Sequence, residues 1–134
     1  MSGGYSANAT IKAFELGETM TYANVGVYLH TDGKIYLAAS GQDIPLGTLL
    51  ASGAAGDHRD VAIGAPVVLV RCGGTATVGK MAQATTAGEF IDGTTDDQYV
   101  WGQFLESGSD NAEISMLLFP HVTNNISLLI HGGS

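Results

Sequence analysis

Basic side chains are scarce. Lys12, Lys34, Arg59, Arg71 and Lys80 are the only five, they never cluster, and thirteen Asp and Glu outweigh them to give a formal net charge of −8. A nucleic-acid binder concentrates Lys and Arg into a patch that faces phosphate, so the pattern argues against nucleic acid as a direct partner. Cysteine is scarcer still: Cys72 stands alone, which excludes an intramolecular disulfide and a Cys-rich zinc site. Apolar on one side and followed by Gly73-Gly74, it reads as a small buried hydrophobe at a strand end. A nucleophilic thiol needs a base and an electropositive setting, and no His lies near it in sequence. Long apolar runs are also missing. Runs such as Met116 to Phe119 are far too short to cross a bilayer, and MSGGYSANAT at the N-terminus has neither the basic nor the apolar part of a secretory signal. The expectation is a soluble protein made in a cytoplasm, with no membrane partner, in which the glycosylation patterns at Asn8 and Asn125 are chance matches.

What remains is apolar, small and turn-rich. Of 134 residues, 45% are hydrophobic, only 13% are charged and 19 are glycine. That length and apolar content build a core without metal or disulfides. The clearest local signal is Ala23 to Ala38. Val27 and Leu29 alternate with Tyr28 and His30, Ile35 and Leu37 alternate with Lys34 and Tyr36, and Thr31-Asp32-Gly33 supplies a turn. Period-two alternation places Val27, Leu29, Ile35 and Leu37 on one apolar face, with Lys34, Tyr28 and Tyr36 opposite.

Along the chain, residues 1–9 form a small, polar arm and Thr10 to Phe14 a first strand. Gly47 to Ala51 is a short strand, Ser52 to Asp60 an exposed loop, and Val61 to Gly64 a strand. Val67 to Arg71 is a continuous apolar run that reads as a strand buried on both faces. Tyr99 to Leu105 reads as one aromatic-rich strand, Ala112 to Phe119 as another, and Ile126 to Ile130 as a last apolar segment. A faint internal echo sets Ala76–Met81 and its following Thr85–Ile91 turn and strand beside Ala23–Tyr28 and its Asp-Gly hairpin. It is either one hairpin plan used twice or chance, and its separation does not indicate a solenoid. No window shows helical periodicity beyond two turns. Short strands with Gly-rich turns predict an all-β fold, a compact barrel or sandwich of antiparallel hairpins, with an arm at 1–9, a β domain at 10–120 and a C-terminal extension at 121–134.

Reactive constellations are hard to find. His30, His58, His121 and His131 are scattered without zinc spacing. His58 in Gly56-Asp57-His58-Arg59-Asp60 has carboxylates on both sides, yet a solvated loop accounts for it. Asp92, Asp96 and Asp97 lack the Gly and terminal Glu of a calcium loop. No phosphate-cradling glycine motif or nucleophile elbow occurs, and Gly79-Lys80-Met81 matches a biotin-carrier turn over only three residues. No catalytic residue, cofactor or metal is expected. Trp101, flanked by Tyr99 and Phe104, is either core or interface anchor.

In order and composition, the chain resembles the small capsid decoration, or cement, proteins of tailed bacteriophages. The features that carry this are Gly17-Glu18-Thr19, the Val25–Leu29 strand with Asp32-Gly33-Lys34-Ile35-Tyr36, the Val67–Gly74 strand and turn, Val100–Glu106, and Glu113–Leu118. The extension from Val122 to Ser134 departs from the pattern. The resemblance implies a compact β domain, a homotrimer, bound to the outer surface of an icosahedral head. There it would staple neighbouring major capsid subunits, its trimer gaining by multivalency. On this reading the expected interaction residues are Tyr5 and Ile11 on the arm, Trp101, and Ile126, Leu128 and Ile130 near the C-terminus. The alternatives are a ring-forming capsid- or tail-associated β protein, or a small carrier or hydrolase using Lys80 or His58.

Overall fold

The computed structural model describes residues 10–39, 43–63, 66–94, 98–119 and 129–130. In chain order the strands are β1 (Ile11–Glu15), β2 (Gly26–Leu29), β3 (Ile35–Leu37), β4 (Gly47–Leu49), β5 (His58–Ala62), β6 (Val67–Arg71) and β7 (Met81–Ala84). A 3₁₀ turn at Thr86–Gly88 follows, and then β8 (Phe90–Asp92), β9 (Gln98–Tyr99), β10 (Gly102–Phe104), β11 (Glu113–Leu118) and β12 (Leu129–Ile130). The fold is all-β. Two five-stranded antiparallel sheets, ordered β1-β5-β4-β2-β3 and β6-β11-β10-β7-β8, pack in a sandwich-like arrangement, and β9 and β12 pair as a separate ribbon.

The two sheets are one plan built twice. Each sheet is pinched at one end by a parallel bridge between its edge strands, Leu16 to Ile35 in the first and Cys72 to Phe90 in the second. Each also has an antiparallel bridge, Met20 to Gly53 and Ala76 to Gly108. The spacing between equivalents is 56 residues for Leu16/Cys72 and Met20/Ala76, and 55 for Ile35/Phe90 and Gly53/Gly108. Backbone hydrogen bonds repeat at the same offsets: Gly17 N–H to Ile35 O and Gly73 N–H to Phe90 O, both 2.9 Å, or Gly56 N–H to Leu16 O and Asn111 N–H to Cys72 O at 2.8 and 2.9 Å. Left-handed backbone recurs as well, Gly33 (φ 83) with Gly88 (φ 72) and Gly56 (φ 94) with Asn111 (φ 70). Because the pinch touches at only one end, each sheet curls toward a barrel without closing.

Alternation explains the two cores. Inward positions of the first repeat (Leu16, Met20, Val25, Val27, Ile35, Leu49 and Val61) form one apolar cluster. Those of the second (among them Val68, Val70, Phe90, Trp101, Phe104 and Met116) form another, which also takes in Ala38 and Ala62 from the back of the first sheet. Glycine is required where strands crowd: a Cβ on Gly47 would collide with the Ala62 carbonyl oxygen, and one on Gly102 with that of Leu117.

Several expectations are corrected. The 52–60 loop is shorter, because β5 begins at His58, where it pairs with Glu15. The Val67–Arg71 run is not buried on both faces. Alternation buries Val68 and Val70 on the core face and leaves Val67 and Leu69 exposed on the back of the sheet. Tyr99–Leu105 is two strands, with Val100 and Trp101 between them outside either ladder. Leu29 shares the face of Val27 but lies at the strand end, half exposed. The turn at Gly33 forms as its Asp-Gly chemistry dictates, with His30 N–H bonded to Lys34 O at 2.9 Å.

Candidate interaction surface

The residues with reactive potential serve as turn and edge fasteners. Asp32 accepts bonds from the Tyr36 hydroxyl (2.7 Å) and the Lys34 N–H (2.9 Å), which hold its carboxyl below the usual range and raise the Tyr36 phenol. Glu106 accepts from both the N–H and the hydroxyl of Ser115 and is lowered for that reason. Asp92 binds the Thr77 N–H and hydroxyl at 2.7 and 2.6 Å. Burial pushes the Cys72 thiol up, and the acidic residues Asp92, Asp110, Glu106 and Glu89 add to the shift, the opposite of a nucleophile's setting. His58 lies exposed on β5, and beside it Asp57 pairs with Arg59 at 3.2 Å. Among the described residues no group of His, Cys, Asp and Glu could hold a metal, and no helix is long and apolar enough to cross a membrane.

The informative surface is the back of the second sheet. Register sets Met81 beside Gln103, Gln103 beside Leu117, and Leu117 beside Val67, a single row across four strands. Leu105 and Leu69 flank Ser115 in the adjoining row. Met81, Leu105, Val67 and Leu69 are 38, 43, 36 and 48% exposed. Several large apolar side chains in neighbouring rows of one face make a patch, which single exposed residues do not.

The equivalent row of the first sheet is Gly26, Thr48, Ala62 and Ile11. Its first three members are buried by the second repeat. A Cβ on Gly26 would come within 2.8 Å of the Phe90 ring and 3.0 Å of the Trp101 ring, which meet each other edge to face at 5.3 Å. Gly88 donates its N–H to Ala38 O at 2.7 Å, and Arg71 donates its own to Asn24 O at 2.8 Å. The Arg71 guanidinium covers the Tyr22 ring at 3.7 Å and bonds Glu89 at 2.9 Å and Asn111 at 2.8 Å, closing the polar rim of this seam. Replacing Arg71 with alanine is therefore expected to cost roughly 2 kcal/mol, since it strands a half-buried carboxylate. Arg71→Lys is expected to recover only part, lacking the planar fork, and urea titration of the two variants checks the order.

Of the sequence-derived interaction residues, Ile11 is 44% exposed on edge strand β1. Trp101 is 1% exposed and packs against the Phe90 ring and Gly26 of the first repeat. Ile130 belongs to β12, while Tyr5, Ile126 and Leu128 lie outside the described residues. The patch at Met81, Leu105 and Leu117 escaped the sequence reading. Its signal was present in the paired segments Gly47–Gly53 (GTLLASG) and Gly102–Gly108 (GQFLESG), which share Gly, Leu, Ser and Gly at matched places.

No family model matches the chain, and no curated protein matches it. Among solved structures, the chain is similar to the head fiber gp8.5 N base of bacteriophage phi29. The TM-score is 0.65 at 16% identity, and the match covers 87% of this chain and 99% of the other. At that identity the likeness shows the fold.

Proposed function

We propose that this chain is a structural protein of a tailed-phage virion, a decoration or cement protein that binds the outer surface of the icosahedral head and stabilises contacts between major capsid subunits. The observation that carries the reading is the likeness to the phi29 head fiber base, which spans almost the whole of both chains. The exposed apolar patch and the net charge of −8 support it, since adhesion needs dry surface and an acidic coat avoids packaged nucleic acid. Binding, with no turnover, is the work assigned to the fold. Tyr5, Ile126 and Leu128, which lie outside the described residues, are assigned to contacts with the partner.

The test is co-sedimentation of the full chain with heads built from the major capsid protein of the same genome. Saturable binding and a raised melting temperature of the heads are expected, with weaker binding after removal of residues 1–9 or 121–134. Heads that neither retain the protein at micromolar concentration nor gain thermal stability would overturn the proposal.

A further inference from the structure

We propose that the open back of the second sheet is a docking face for the first repeat of another copy of this chain, so that copies join head to tail by the same contact that joins the two repeats. Inside one chain, the surface that covers Gly26, at the end of the Gly26–Thr48–Ala62 row, is built from Trp101, Phe90 and the turn at Gly88. At the repeat spacing of 55, those positions are Leu46, Ile35 and Gly33 in the first repeat. That rim is bordered by Leu29 and Ile44, which are 49 and 56% exposed. The chain thus carries one used pair of complementary surfaces and one unused pair, and both unused members expose apolar side chains.

The sizes compensate. In the intrachain contact the floor is small (Gly26, Thr48, Ala62) and the lid is large (Trp101, Phe90). In the unused pair the floor is large (Met81, Gln103, Leu117) and the lid is small, because Ile35 is buried in its own core and only the half-buried Leu46 and the Gly33 turn are left to cover it. Dense packing requires such reciprocal volumes. One hydrogen bond can recur too. Gly88 N–H is shared between Thr85 O and Ala38 O, and Gly33 N–H, bonded to His30 O at 2.9 Å, stands where it could be shared with Gly93 O of the next copy. A contact between unlike surfaces is heterologous, so it closes a ring if its rotation permits and otherwise extends a fibre.

The experiment uses two full-length variants, Met81→Asp/Leu105→Asp on the face and Leu29→Asp/Ile44→Asp on the rim. All four positions are exposed, and circular dichroism with thermal melts confirms that both variants fold. Sedimentation velocity is expected to show self-association of the wild type and at least about tenfold weaker association of either variant alone. An equimolar mixture is expected to give heterodimers and nothing larger, because each variant retains one intact surface. A monomeric wild type, unchanged association of either variant, or a mixture that does not pair would each overturn the proposal. Unchanged association of the rim variant would point to an isologous contact between two such faces.

Discussion

Trp101→Ala is expected to destabilise the protein by about 3–5 kcal/mol, the range for removing a large ring from a core that cannot collapse around the gap. Trp101 is 1% exposed, and its ring lies between Phe90 and the space that Gly26 leaves open. The void would therefore open along the seam between the repeats and loosen both at once. Trp101→Phe is expected to cost less, about 1–2 kcal/mol. The indole N–H has no hydrogen-bond partner among the described residues, so phenylalanine forfeits only ring area. Because the chain has one tryptophan, far-ultraviolet circular dichroism in urea is the appropriate readout. Equal losses for the two substitutions would contradict the packing account.

Gly102→Ala and Gly47→Ala are expected to be damaging to a similar degree, about 1–3 kcal/mol or more each. In both, the added methyl meets a carbonyl oxygen of the neighbouring strand, Leu117 or Ala62, which cannot move without disrupting its own ladder. Gly74→Ala is the control. Its Cβ would approach only the Ile91 side chain, at 3.1 Å, so a cost of roughly 0.5 kcal/mol is expected. Thermal melts of the three variants give the ranking, and a Gly102 variant as stable as the Gly74 variant would show that the strands can part.

The local grammar of the chain was legible. Alternation and Asp32-Gly33 placed the opening hairpin, and the all-β class followed from short strands and turns, because both depend on neighbours in sequence. Sheet position was not legible. Val67–Arg71 has the composition of a strand buried on both faces, and only the uncovered back of its sheet leaves Val67 and Leu69 exposed. His58 to Asp60 has loop composition, yet β1 captures it. The internal echo was half seen. Set by residue likeness, it put Ala76 beside Ala23, whereas the bridges make Ala76 the counterpart of Met20. Turn residues mislead about register because many sequences make the same turn, whereas glycines forced by a facing carbonyl, such as Gly47 and Gly102, hold it. The interaction patch depends on which back of two similar sheets is covered, and composition cannot decide that.

Every described ladder and bridge lies wholly within residues 11–62, within 67–118, or in the β9–β12 ribbon. Among the described residues, no strand pairing links the part that ends at Ile63 to the part that begins at Pro66. Cut there, the molecule would give two fragments that each keep every partner their sheet needs, joined by the Trp101 contacts and the Arg71 rim. Covalent linkage then acts mainly as a tether that raises the local concentration of one fragment around the other.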